Sequence, residues 1–147
     1  MSRIKITLPS SSSERVSIPV RITDLNYGNH VGNDAIVSIL HEARVQWLNK
    51  AGFDELRFAG QSLIMAGLSV EFIQESFYGD ILEVDISCGE ISAAGFELYY
   101  HLQSERNNRM TSIARAKTDM VCYNYELRKV TPLSTEAKDF LRGSTIP

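Results

Sequence analysis

The chain is poor in the features that mark several protein classes. It has only two cysteines, Cys88 and Cys122, far apart and without metal-like spacing. That excludes a disulfide scaffold and points to two buried thiols in a reducing compartment. No stretch approaches the apolar length of a membrane-spanning helix, and Met1 to Ser13 lacks the apolar core of a signal peptide. A cytoplasmic protein without membrane association is the expectation. Lys and Arg number 15 against 18 Asp and Glu, a net charge of −3. The chain as a whole is therefore not drawn to nucleic acid or anionic lipid, and a phosphate-bearing ligand must meet a local basic patch. No Walker or Rossmann glycine loop and no DNA-binding helix are present. The three histidines, His30, His41 and His101, are scattered, and the adjacent His41 and Glu42 cannot face one ion from a helix, so no metal site is expected.

What is present suits one compact domain over residues 1–147, with 44% apolar and 22% charged residues. Ser10 to Ser13 reads as a loop. Val16, Ile18, Val20 and Ile22 alternate with polar residues or proline, which predicts a half-buried strand with Pro19 at an edge or bulge. From Asp34 to Ala51 the apolar period becomes helical, through Ile36, Ile39 or Leu40, Ala43 and Trp47. Val37, Val45 and Leu48 widen that surface, so the helix should be enclosed on more than one side. Asn33 and Asp34 are N-cap candidates, and Gly52 is placed to end the helix. After a connection over 53–60, strands are predicted over 63–73, through Leu82, Val84 and Ile86, through Phe96 to Leu102, and over 113–123. Tyr78-Gly79-Asp80 and Asn107-Asn108 mark turns, and Thr135 to Leu141 a short terminal helix. One long helix and about five strands joined mostly by short turns predict an α+β fold, a curved antiparallel sheet wrapped around a central helix. Its free edges would pair across a two-fold axis in a dimer.

The chemistry-bearing stretch runs from Thr23 to Asp34, between the first strand and the helix. It holds Asp24, Asn26, His30 and Asp34 close together in sequence. Amides at the helix N-terminus carry positive partial charge and suit a developing oxyanion. Imidazole is the side chain best suited to exchange a proton at physiological pH, so His30 is a candidate base, and Asp34 and Asp24 are nearby carboxylates. Each has a structural alternative: Asx-turns for Asp24 and Asn26, a turn-fixing role for His30, a first-turn acid for Asp34. Glu42 and Arg44 in the helix body read as structural ion-pair partners.

With His41-Glu42-Ala43-Arg44 following, this stretch resembles the hot-dog-fold thioesterases of the 4-hydroxybenzoyl-CoA thioesterase type. Their motif reads, loosely, Asp-Thr-Asp-x-x-Gly-His-Val-Asn-Asn, then Glu-x-Ala-Arg. Asp24, Asn26, His30, Val31, Asn33, Glu42, Ala43 and Arg44 match in order and spacing, and Gly79-Asp80 resembles that family's later turn. The resemblance implies hydrolysis of a small acyl or aryl thioester of coenzyme A or an acyl carrier protein. It implies no cofactor, coenzyme A being part of the substrate, and a homodimer or homotetramer whose pocket draws on both chains. One departure matters: Asn26 stands where the family's usual catalytic carboxylate lies, and an amide cannot take a proton at neutral pH. Asn26 would then hold the carbonyl or the water, with Asp34 or His30 as base. Candidate substrate-binding positions are Tyr27, Gly28 and Asn33 in the loop and Gly67, where a bare backbone allows close approach. Arg115 and Lys117 share one strand face and suit phosphate, or form a solvated sheet face. Two other functions compete: a hot-dog hydratase or dehydratase, and a non-catalytic acyl-CoA sensor.

Overall fold

A computed structural model describes residues 3–10 and 14–145. The loop expected at Ser10 to Ser13 therefore lies mostly outside the described residues. Among the described residues, six strands form one antiparallel sheet: β1 (Glu14–Pro19), β2 (Ser62–Phe72), β3 (Ile81–Ile91), β4 (Gly95–Arg106), β5 (Arg109–Asn124) and β6 (Lys129–Val130). The order is β1-β3-β4-β5-β2, with β6 also on β5. The helices are α1 (Asn33–Lys50) and α2 (Thr135–Thr145). No helix among the described residues is long and apolar enough to cross a membrane.

The expected hot-dog architecture is present, and period-two patterning explains its inner face. Leu82, Val84 and Ile86 on β3, Phe96, Leu98, Tyr100 and Leu102 on β4, and Ala114, Ala116 and Met120 on β5 are all buried. They meet Ile36, Ile39, Leu40, Ala43, Trp47 and Leu48 of α1 in one core. Trp47 packs on Phe140 of α2 with ring centroids 5.3 Å apart.

Local chemistry sets the boundaries. β1 is an edge strand that stops at Pro19, as a residue without an amide proton requires, rather than running through Ile22 as the alternation predicts. Ile22 instead opens a 3-10 turn over Ile22–Asp24 and is 67% exposed. The N-cap of α1 is Gly32 rather than Asn33 or Asp34, which form the first turn, and no side chain caps it. Gly52 follows the C-cap Ala51 with φ +83°, the left-handed conformation expected of a terminating glycine. Asn107 and Asn108 have φ of 53° and 63°, matching a type I′ hairpin turn between β4 and β5. β6 was not expected; two residues returning onto β5 carry no periodicity to read. α2 runs four residues beyond the predicted Leu141.

Candidate active site

The loop between β1 and α1 is held by its own backbone. Leu25 bridges Val31; the Asn26 amide donates to the His30 carbonyl at 2.8 Å and the Asn29 amide to the Asn26 carbonyl at 3.0 Å. Asn29 sits at φ 61°, which asparagine tolerates. The Val31 amide donates to the Ser76 carbonyl at 2.8 Å, tying the loop to the segment after β2. That long-range bond decides what faces His30.

Two glycines reveal how closely the polar side chains gather. A methyl placed on Gly28 would lie 3.1 Å from His30 Nε2 and 3.3 Å from Asn26 Oδ1. One placed on Gly32 would lie 2.6 Å from Asp34 Oδ1 and 3.5 Å from Asn26 Cβ. Asn26, His30 and Asp34 thus surround a strip of bare backbone. Asn26 Oδ1 accepts the Gly28 amide proton at 2.9 Å, so the Asx-turn forms. The Asn26 Nδ2 hydrogens remain for another acceptor, because a backbone N–H can face only the amide oxygen.

His30 is half-buried, with Nδ1 3.2 Å from the Val31 carbonyl. A carbonyl only accepts, so Nδ1 carries the proton and neutral His30 keeps its lone pair on Nε2. Nε2 lies 3.8 Å from Glu75 Oε1, a carboxylate suited to steadying an imidazolium. His30, Asn33, Ile36, Phe72, Glu75 and Ile113 are among the residues lining a cleft of about 180 Å³. The first bond into α1 runs from the Ile36 amide to the Gly32 carbonyl at 3.1 Å. The amides of Asn33, Asp34 and Ala35 therefore precede the helical ladder at its positive end. Lone pair, amide donors and apolar wall are together what acyl transfer to water requires. Glu75 escaped sequence reasoning; nothing in Gln74-Glu75-Ser76 marks it, and only the Val31–Ser76 bond brings it to His30.

The other candidates are placed elsewhere. Asp24 is 5% exposed; its carboxylate accepts the Arg21 amide at 2.8 Å and pairs with the Arg21 guanidinium at 3.2 Å. Its carbonyl accepts the Gly32 amide, so Asp24 pins the loop instead of entering the cleft. Tyr27 is fully exposed. Gly67 makes room for a side chain of its own sheet: a methyl there would lie 2.6 Å from Asp119 Oδ2, its cross-strand partner beside a β-bulge. Arg115 and Lys117 do share a face, the outer one, away from α1. Lys117 is held by Glu97 at 2.9 Å and Asp119 at 3.5 Å. Arg115 pairs in register with His101 and Glu71, and its Nε is buried without a hydrogen bond. Burial and the Arg115 charge hold His101 below the usual imidazole range.

Arg44 takes its expected structural part. It is 5% exposed; Nε donates to Glu55 at 3.2 Å and Nη1 to the Tyr100 hydroxyl at 3.2 Å. Tyr100 shares a 2.8 Å bond with Thr118, and His41 meets Glu55 at 2.5 Å. Among the described residues, Glu42 bonds only Gln46, on the exposed face, and forms no ion pair of the kind expected of it. Arg44 and Thr118 also close a crevice between α1 and β2, flanked by Val37, Leu40, Met65 and Leu68.

The chain and its fold are similar to those of known proteins. A 1,4-dihydroxy-2-naphthoyl-CoA hydrolase of Crocosphaera subtropica is 30% identical over 128 residues, 85% of this chain and 93% of that protein. A second hydrolase of that name, from Rippkaea orientalis, is 25% identical, covering 85% of this chain and 92% of that protein. Among solved structures, a 1,4-dihydroxy-2-naphthoyl-CoA thioesterase from Synechocystis superposes with TM-score 0.75 at 23% identity, covering 87% of this chain and 94% of that one. A thioesterase from Thermus thermophilus, solved with coenzyme A and zinc, has TM-score 0.75 at 19% identity, covering 91% and 95%. The family profile of the thioesterase-like superfamily matches residues 20–141, and the chain belongs to that superfamily.

Proposed function

We propose that this chain hydrolyses small aryl- or acyl-CoA thioesters, with His30 as general base. The orientation of His30 carries the reading: Nδ1 faces the Val31 carbonyl, leaving the Nε2 lone pair at a cleft beside the α1 N-terminus. Water attacks the thioester carbonyl carbon while Nε2 takes its proton, and Glu75 steadies the resulting imidazolium. The developing oxyanion is met by the first-turn amides of α1 and by the Asn26 Nδ2 hydrogens. The C–S bond then breaks, and His30 returns the proton to the leaving thiolate. Asp34, folded against Gly32, orients the water. An aromatic acyl group is favoured by the names of the relatives from Crocosphaera subtropica and Rippkaea orientalis.

The working unit is a homodimer. β2 is a free edge of eleven residues with Met65, Leu68 and Phe72 exposed, and a second copy would continue the sheet there. The free, buried Cys88 and Cys122 suit the reducing cytoplasm.

Thiol release from benzoyl-, hydroxybenzoyl- and hexanoyl-CoA tests the reading. His30→Ala should lower kcat about 100-fold, the lower end of a general base's contribution. Asn26→Ala should lower it about 100-fold, the lower end of what loss of an oxyanion donor costs. Equal turnover in wild type and His30→Ala would overturn the assignment. Because Asn26 supplies no carboxylate, a sensor that binds without turnover is the second reading. Tight binding of these esters with no thiol release would establish it.

A further inference from the structure

The segment between β2 and β3, which carries Glu75 to the cleft, is held at several points. The Ile73 and Gln74 amides both donate to the Ile113 carbonyl, at 2.9 and 3.1 Å. Ser76 is buried, and its carbonyl holds the Val31 amide. Asp80 fixes the far side. Its Oδ2 accepts the Ser76 hydroxyl at 2.8 Å, the Phe77 amide at 3.0 Å and Arg106 Nη2 at 2.8 Å. Its carbonyl accepts the Val20 amide at 2.9 Å. The Gly79-Asp80 turn thus anchors Ser76 and Phe77 to the sheet. Glu75 itself has no such anchor on its side chain, which is 64% exposed. Among the described residues its carboxylate pairs with His30 alone, at 3.8 Å. A long side chain with free torsions is poorly restrained by one exposed ion pair.

The restraint comes through the main chain. Arg106 Nη2 donates to the Glu75 carbonyl at 2.8 Å as well as to Asp80, one acceptor for each of its two hydrogens. Its guanidinium carbon lies 5.5 Å from the centroid of the Phe77 ring. Arg106 ends β4, in register with Arg109 across the Asn107-Asn108 turn. The hairpin therefore fixes where this side chain starts, and carboxylate and ring fix where it ends. We propose that Arg106 is a positioning residue for the hydrolysis: its Nη2 holds the Glu75 main chain so that the Glu75 carboxylate stays beside His30 Nε2. The inference rests on the thioesterase reading with His30 as base. Removing the guanidinium frees the Glu75 carbonyl, while Ser76 and Phe77 keep Asp80 and Val31. The loss should therefore fall on Glu75.

A double-mutant cycle of Arg106→Met and Glu75→Ala tests this. Methionine keeps an apolar stem against the Phe77 ring and removes the donors, and Arg106 is 27% exposed and outside the α1 core, so the variant should fold. Each single variant should lower kcat for an aryl-CoA ester about tenfold with KM within about twofold, because the imidazolium exists only after the water proton has moved. The two changes together should cost no more than either alone. Independent effects would multiply to about 100-fold. That outcome, or an Arg106→Met kcat within about twofold of wild type, overturns the proposal. A second readout needs no turnover: the imidazole ring-proton NMR signal of His30, assigned by its loss in His30→Ala. Glu75→Ala should displace it, Arg106→Met should displace it in the same direction, and adding Arg106→Met to Glu75→Ala should displace it no further. A signal unmoved in Arg106→Met overturns the proposal even where kcat falls, since the loss then arrives by another route. If no ester is hydrolysed and the signal follows this pattern, the hydrolase reading fails while the hold of Arg106 on Glu75 stands.

Discussion

Replacing Gly28 by alanine separates cleft geometry from stability. The added methyl would sit 3.1 Å from His30 Nε2, 3.2 Å from His30 Cδ2 and 3.3 Å from Asn26 Oδ1. These are tighter than ordinary van der Waals contact, so the imidazole or the amide must yield by a few tenths of an ångström. The backbone itself raises no objection, since Gly28 is not among the residues with positive φ. Loss of unfolded-state freedom favours alanine by about 0.4–1 kcal/mol, and the local crowding opposes it by a similar amount. Net stability should stay within about 1 kcal/mol, a Tm shift of about 2–4 °C or less for a chain of this size. Catalysis has no such compensation. A water attacking under general-base control must lie within about 3 Å of Nε2, the position the methyl crowds. We expect kcat to fall about 10- to 100-fold with the melting curve nearly unmoved. Thiol release gives the first quantity, and fluorescence of Trp47, the only tryptophan, gives the second. A variant with kcat within about twofold of wild type and an unshifted melt would remove His30 Nε2 from the reacting centre.

Arg44→Ala should cost about 3 kcal/mol in urea unfolding, because it empties a buried volume and removes the guanidinium from Glu55 and the Tyr100 hydroxyl, leaving them only His41 and Thr118; a loss below about 1 kcal/mol would show the network to be dispensable. Trp47→Ala should cost about 3–5 kcal/mol, since the ring is 3% exposed and carries the packing of Phe140, and circular dichroism would follow it. Burial pushes the Cys88 thiol up to about 12 and the Cys122 thiol up to about 11, so neither should react with a thiol reagent at about pH 8 until urea exposes both. Burial raises Asp80, but the Phe77 amide, Arg106 and Ser76 outweigh it and hold the carboxyl below its usual 3.8. The folded state thus binds that proton more weakly than the unfolded one, so its stabilisation is present above pH 3.8 and lost as pH falls through the lower folded value. Asp80→Asn should flatten that acid limb in a pH series of unfolding measurements.

Patterning within one element is legible in the sequence. The alternation of Val16 and Ile18, of Leu82 to Ile86 and of Phe96 to Leu102, and the helical spacing from Ile36 to Trp47, each report which face meets the core. Asn107-Asn108 and Gly52 announce left-handed backbone through their own chemistry. The loop cluster was partly legible for the same reason: Asn26, His30 and Asp34 are near neighbours in the chain, and a turn before a helix leaves them few places to go. Asp24 was the exception, because a carboxylate three residues from Arg21 has a partner that competes with the cleft.

Tertiary structure alone decided the rest. β2 crosses to the far side of β5 instead of pairing with β3, a choice no local period records, and among the described residues it leaves β2 as the edge opposite β1. Gly67 proved to accommodate Asp119, distant in the chain and opposite it in register. Lys117 met Glu97 because β4 and β5 pair in that register, and Glu75 reached His30 through the Val31–Ser76 bond. Side-chain periodicity is a property of a few consecutive residues, whereas cross-strand partners are set by chain closure over tens of residues. The sequence by itself therefore determined the long elements, their buried faces and the acid-base residue types of the loop. Folding determined which of those residues face one another, and hence that the histidine of the loop carries its lone pair at the cleft.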